Sequence, residues 1–322
     1  MSDDPMPTTI EDVRAAAIRI APFAHRTPLL RSSTLDAMAD RDLLFKAEVF
    51  QKVGAFKFRG AMNAVSKLDE TTASRGVVTH SSGNHAQALA LAARLRGVPA
   101  WIVMPEGAPA IKRRAVEGYG ATVVECENTL EARETSAAKV VADTGGTLIP
   151  PFDHADVIAG QGTMALEILE DAPEVEAIVA PVGGGGMISG IAIAAKAINP
   201  SIKVFAAEPS MADDAHRSKL SGRIEPVVRI DTIADGLRTS LGRLTFPVVR
   251  DLVDEVLLVD EEAIVAAMRL VWERMKVVIE PSAAVGVAAV LEESFRSRRE
   301  FGPTAVVLCG GNVDLDRLPW QE

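Results

Sequence analysis

Cysteine is almost absent, with only Cys126 and Cys309 in 322 residues. Two thiols cannot build the disulfide framework of a small secreted fold, and free thiols suit a reducing compartment. Aromatic residues make up 4% of the chain, so the core must be assembled from Ala, Val, Ile and Leu, as buried parallel sheets are. Basic charge is in deficit, and the formal net charge of −10 repels nucleic acid and anionic membrane alike. No uninterrupted apolar segment spans a membrane. The uncharged stretch from Ala177 to Ala195 is long enough by count, but Pro181 and four consecutive glycines break it. The first residues, MSDDPMPTT, are acidic and polar where a signal peptide is basic and then apolar. A cytoplasmic protein is expected, with no nucleic-acid or membrane partner. Linkers, repeats and low-complexity tracts are also missing, so pattern alone sets no domain boundary.

What is present is an alternation. Strand candidates fall at Leu43–Glu48, Gly76–Thr79, Ala100–Met104, Thr122–Cys126, Ala177–Val182, Val204–Ala207, Glu255–Val259 and Thr304–Cys309. Ala-rich helical stretches lie between them, including Ala86–Leu95, Leu130–Asp143, Met187–Ile198 and Glu261–Lys276. Asn128 followed by Glu131 reads as the capping box of the Leu130 helix, and Gly145 and Gly146 stop it. The pattern predicts an α/β fold with mostly parallel strands.

Five local features carry candidate chemistry. Gly183-Gly184-Gly185-Gly186 follows a strand and precedes a helix, where bare backbone N–H groups can cradle a phosphate; a merely tight turn is the alternative. It matches neither G-x-G-x-x-G nor the G-x-x-x-x-G-K-[ST] loop. Lys57 stands between Phe56 and Phe58 in a glycine-bounded stretch after a strand. Burial there would lower its pKa and free its amine as a base or nucleophile, whereas a lysine reaching solvent from a strand edge is the plainer reading. Ser81-Ser82-Gly83-Asn84-His85 joins a strand to a helix and suits either carboxylate binding or simple capping. Glu208 and Asp214 could share a hard cation, whereas Asp213 or Asp214 capping a helix is the plainer reading. Cys309-Gly310-Gly311-Asn312 follows an apolar strand, at the sheet edge where ligands gather in open α/β folds.

Together and in this order, these pieces resemble the fold-type II pyridoxal-phosphate enzymes, in particular the serine racemase and serine/threonine dehydratase group, which includes 3-hydroxyaspartate dehydratases. The similarity runs from about Thr27 to Leu315 through FQKVGAFKFRGAMNAV, THSSGNHAQAL, VIAGQGTMALEIL, PVGGGGMISGIAIA, AAEPSMADDAHRSKLSG, TIADG, LVWERMK and GGNVDL. The resemblance implies two open twisted α/β domains, like the tryptophan synthase β chain, with the cofactor in the cleft. Residues 1–66 and 150–322 would form the large domain and 67–149 a small mobile one. It implies Lys57 as covalent anchor, with Phe56, Asn84, Gly183 to Gly186, Met187, Gly236 and Cys309 around pyridoxal 5′-phosphate. Ser81, Ser82, Gly83, Asn84 and His85 would hold the substrate carboxylate. A divalent cation (Mg²⁺, or Ca²⁺ or Mn²⁺) would sit on Glu208, Asp214 and the Ala212 carbonyl. Ser32, Ser33, Lys52, Gln87, Lys112 and Tyr119 match an ATP site of the racemase branch, with ATP as activator of a homodimer.

The expected reaction is β-elimination of water and ammonia from serine, threonine or 3-hydroxyaspartate. The alternative is racemisation of serine or aspartate, with Lys57 and Ser82 as bases on two faces; a catalytically idle binding protein is a third reading. Phe152 and Asp153 stand where vertebrate-type racemases have Asn and Gln, which weights the expectation toward elimination. Arg133 would meet a second substrate carboxylate or remain a solvated helix residue. The chain ends shortly after GGNVDL, so control by isoleucine through a C-terminal domain is not expected.

Overall fold

The computed structural model describes Met6, residues 8–108 and residues 110–321. Among these, ten strands make the frame: β1 (Leu29–Leu30), β2 (Leu43–Lys46), β3 (Val77–His80), β4 (Ala100–Pro105), β5 (Thr122–Cys126), β6 (Thr147–Leu148), β7 (Ala177–Pro181), β8 (Lys203–Pro209), β9 (Glu255–Val259) and β10 (Thr304–Val307). They form a six-stranded sheet in the order β1-β2-β10-β7-β8-β9 and a four-stranded sheet in the order β5-β4-β3-β6. Every pairing is parallel except β1 with β2. The predicted α/β class is therefore the observed one.

The central strands β2, β7 and β10 are buried at every position because helices cover both faces. That is why they read as apolar runs without alternation. All eight predicted strands appear, some shortened or extended at their ends; the two-residue strands β1 and β6 carried no such signal.

Lys57 is not on a strand edge. It opens the helix Lys57–Lys67. The helix Leu130–Thr144 is capped by Thr129, whose hydroxyl accepts the Ala132 N–H at 3.1 Å, and not by Asn128. Gly145 ends it with φ 70°, as glycine allows.

One helix spaces the elements of the site. Ala155–Asp171 packs between the Lys57 helix and the helix Gly186–Ile198. Glycines make both crossings close: a Cβ on Gly160 would lie 2.6 Å from the Gly60 Cα, and one on Gly190 would lie 2.3 Å from the Ile158 oxygen. Any side chain there would push Lys57 and the glycine loop apart.

Candidate active site

The site collects at the carboxyl ends of parallel strands, where loops are free to supply chemistry. β3 leads into Ser81–His85, β7 into the four glycines, and β10 into Cys309. The segment before Lys57 is stitched onto the segment after β10. Phe56 donates its N–H to the Cys309 carbonyl at 3.0 Å, Gly311 donates to Gly54 at 3.0 Å, and the Asn312 amide donates to Val53 at 2.7 Å. Val53 is held at φ 59°, a costly conformation for a β-branched residue, next to Gly54 at φ 69°. This stitching brings Lys57 and Cys309 together across most of the sequence.

Lys57 is half-buried, and among the described residues its ammonium donates to the Pro151 carbonyl at 2.7 Å. Desolvation pulls its pKa down to about 8, against the raising influence of Cys309 and Glu280. Burial, followed by the charge of Glu280, pushes the Cys309 thiol well up, so it stays protonated. Burial and the nearby Lys57 hold His85 down to about 3. Its Nε2 lies 2.9 Å from the Ile149 carbonyl and must donate there, because that oxygen only accepts. The His85 ring then has no proton for a carboxylate, and what it can offer is its backbone N–H. That group belongs to the first turn of the helix Asn84–Arg96, beside Ser81, Ser82 and Gly83, where unpaired N–H groups favour an anion.

Glu280, which the sequence reading passed over, closes the site. It is buried, and its carboxylate accepts the Asn84 amide at 2.9 and 3.3 Å and the Asn312 backbone N–H at 3.0 Å. Asn312 donates in turn to the Asn84 oxygen at 2.8 Å. The bonds fix which way the Asn84 amide faces. Burial and Asp235 raise the Glu280 pKa to about 7 despite those bonds. The available signal was a lone acid ending the apolar run VVIE ahead of Pro281, which reads as a helix cap. Its side chain caps nothing.

A phosphate fits the glycine loop. The loop is buried, and a Cβ on Gly183, Gly184, Gly185 or Gly186 would meet a neighbour at 3.0, 2.4, 2.8 and 2.9 Å respectively. Gly185, at φ 87°, turns the chain into the N-terminus of the helix Gly186–Ile198. Met187 lies in its first turn, and Gly236 is held by the Ser282 hydroxyl at 3.1 Å.

The predicted cation set is partly committed elsewhere: the Glu208 carboxylate accepts the N–H groups of Ala215 at 2.8 Å and His216 at 2.9 Å, at the start of the helix Asp214–Ser221. Both carboxylate oxygens of Asp214 are buried without a hydrogen-bond partner, so Asp214 caps nothing. Burial raises its pKa to about 7 and that of Glu208, also beside Asp214, to about 9. Among the described residues there is no cluster of three or more His, Cys, Asp or Glu side chains, so a cation would need carbonyl oxygens such as that of Ala212.

The remaining candidates are scattered. Arg133 donates its Nε to the Thr129 carbonyl at 3.2 Å. Ser32 caps the helix Ser33–Ala39, Lys52 lies 5.9 Å from the Phe58 ring, and Gln87 is buried in the Asn84 helix. Lys112 pairs with Asp235 at 3.2 Å, and Tyr119 packs against the core of the smaller sheet. Ser33 opens the helix that Ser32 caps, which packs against β2.

These features define an enzyme that uses pyridoxal phosphate, and the comparisons agree. Residues 20–310 match the family described as "Pyridoxal-phosphate dependent enzyme", and the chain belongs to it. It is 53% identical to the serine racemase of Arabidopsis thaliana over 96% of this chain and 94% of that one. The structure of maize serine racemase superposes with a TM-score of 0.95 at 51% identity, covering 96% of this chain and 95% of that one. A T.th. threonine deaminase structure follows at 45% identity and a TM-score of 0.90, covering 96% of this chain and 100% of that one.

The expectation of a dehydratase for 3-hydroxyaspartate, serine or threonine is thereby overturned, because near-full-length relatives at the higher identity are serine racemases. The geometry explains the error. Phe152 packs on the glycine loop, and the Asp153 carboxylate is spent on the N–H groups of Arg243, Leu244 and Thr245.

Proposed function

We propose that this chain racemises serine, and the observation that carries the reading is the near-full-length identity to serine racemases with Lys57 and Ser82 both in place. Bound pyridoxal phosphate supplies the electron sink that makes a substrate Cα–H acidic. Lys57 is its anchor, and the four glycines with Met187 hold its phosphate. Asn84, oriented by Glu280 and Asn312, would hold the ring together with Phe56, Gly236 and Cys309. Residues Ser81–His85 orient the substrate carboxylate through hydroxyls and helix N–H groups. Lys57 removes the proton on one face, its desolvated amine being a usable base near neutral pH. Ser82 exchanges a proton on the other.

The finer features belong to the same reading. A divalent cation on Glu208, Asp214 and the Ala212 carbonyl would neutralise two buried acids. The six-stranded sheet with residues 1–66 and 150–322 would be one domain and residues 67–149 a second that closes over substrate. A cytoplasmic homodimer responsive to ATP through Ser32, Ser33, Lys52, Gln87, Lys112 and Tyr119 completes it.

The test follows each enantiomer of serine in D₂O. Interconversion with deuterium at Cα is expected. Ser82→Ala should slow interconversion by about 10²–10⁴ while one enantiomer still exchanges its α-proton. Retained chirality with keto acid as sole product would sink the proposal.

A further inference from the structure

The geometry points to Asp153 as a positioning residue for the phosphate-binding loop, acting through Thr245. This rests on the reading that Gly183–Gly186 hold the phosphate. One carboxylate oxygen accepts the Arg243 N–H at 3.0 Å, and the other accepts those of Leu244 at 2.7 Å and Thr245 at 3.3 Å. It thus fixes the start of the helix Thr245–Leu252. The Thr245 side chain is fully buried, and its hydroxyl oxygen accepts the Gly242 N–H at 2.8 Å and donates to the Gly184 carbonyl at 2.7 Å. A carbonyl oxygen only accepts, so the direction of the second bond is set; the Gly242 carbonyl, at 3.4 Å, is the longer alternative for the same proton. In a trans peptide the carbonyl and the next N–H point opposite ways. Pinning the Gly184 oxygen on Thr245 therefore turns the Gly185 N–H toward the open side of the loop, where the anion lies.

Phe152 completes the clamp from another side. A Cβ on Gly184 would be 2.4 Å from its ring and one on Gly186 would be 2.9 Å from its Cα. Asp153 has no room to shift, because a Cβ on Gly242 would lie 2.2 Å from its carboxylate. The loop is held by a relay of three groups, Asp153, Thr245 and Phe152.

Affinity for two cofactor forms reads the relay directly. Apoenzyme is titrated with pyridoxal phosphate and with pyridoxal, for the wild type, Asp153→Ala, Asp153→Asn and Thr245→Val, with the melting temperature of each apoenzyme measured alongside. Wild type should prefer the phosphorylated form. Asp153→Ala and Thr245→Val should each weaken binding of pyridoxal phosphate by about tenfold while leaving pyridoxal within about twofold. Asp153→Asn, which keeps one acceptor oxygen, should fall between. The double variant should cost no more than the larger single one, since both break one chain. Unchanged discrimination in both Thr245→Val and Asp153→Asn, with only a lowered apoenzyme melting temperature, would reduce Asp153 to a helix cap and overturn the inference. Should Asp153→Ala fail to fold, those two variants decide. Wild type binding both forms equally would instead remove the phosphate reading itself, and this inference with it.

Discussion

Lys57 and Arg59 lie two residues apart in one helical turn, Arg59 fully buried and Lys57 half-buried with a desolvated amine, and their surroundings drive their pKa values in opposite directions. Arg59 forks onto Glu48 at 2.8 Å through both Nε and an Nη, and onto Glu167 at 2.7 and 2.8 Å. Lys46 joins Glu167 at 2.5 Å and Thr27 joins Glu48 at 2.6 Å. Burial acts against the Arg59 charge, yet these carboxylates raise its pKa overall. Lys57 has a carbonyl where Arg59 has carboxylates, and its pKa falls to about 8. Burial by itself does not make a reactive amine; burial without a paired anion does. The helix is fastened by its arginine and made useful by its lysine.

Removing each member tests that contrast. Lys57→Ala should lower racemisation by at least about 10³-fold, measured by chiral chromatography, with little loss of fold. Arg59→Ala strands Glu48 and Glu167 and should cost about 3–5 kcal/mol in urea unfolding of the apoenzyme. Lys57→Met replaces a desolvated amine with an apolar chain of similar length and should stabilise the apoenzyme by about 1–3 kcal/mol at pH 7.

The smallest effect is in pH. Because folding lowers the Lys57 pKa, the folded chain binds fewer protons than the unfolded one between about 8 and the ordinary lysine value of 10.5. Its contribution must therefore improve as pH rises through that window, and Lys57→Met should erase the slope. Attachment of pyridoxal phosphate to the apoenzyme needs the neutral amine, so its rate should climb with pH, reach half its maximum near 8 and level off about one unit above. A rate flat from pH 6 to 9 would remove the contrast between the two cations.

What the sequence disclosed was whatever depends on neighbours along the chain. The tetraglycine loop and the Ser81–His85 junction were readable because glycine freedom and helix starts are local properties. Lys57 was ambiguous on its own, since its reactivity comes from an absent counter-ion that no local pattern records. Glu280 was invisible for the same reason: its partners Asn84 and Asn312 are 196 and 32 residues away. Asp153 was misread as a selector of chemistry because its contacts lie 90 to 92 residues downstream. The reaction class could not be drawn from that pair at all.

The strand order carries a temporal consequence. β10, the last strand, lies between β2 and β7 and hydrogen-bonds to both. As the polypeptide leaves the ribosome, β2 must wait with a bare edge until β10 has been synthesised. The smaller sheet, drawn from a single continuous stretch, has no such delay. Insertion of β10 closes the gap and delivers Cys309 and the stitching partners of residues 53–56 in the same event. Assembly of the larger sheet and completion of the cofactor pocket are thus one step, and an unfinished chain cannot carry a finished site.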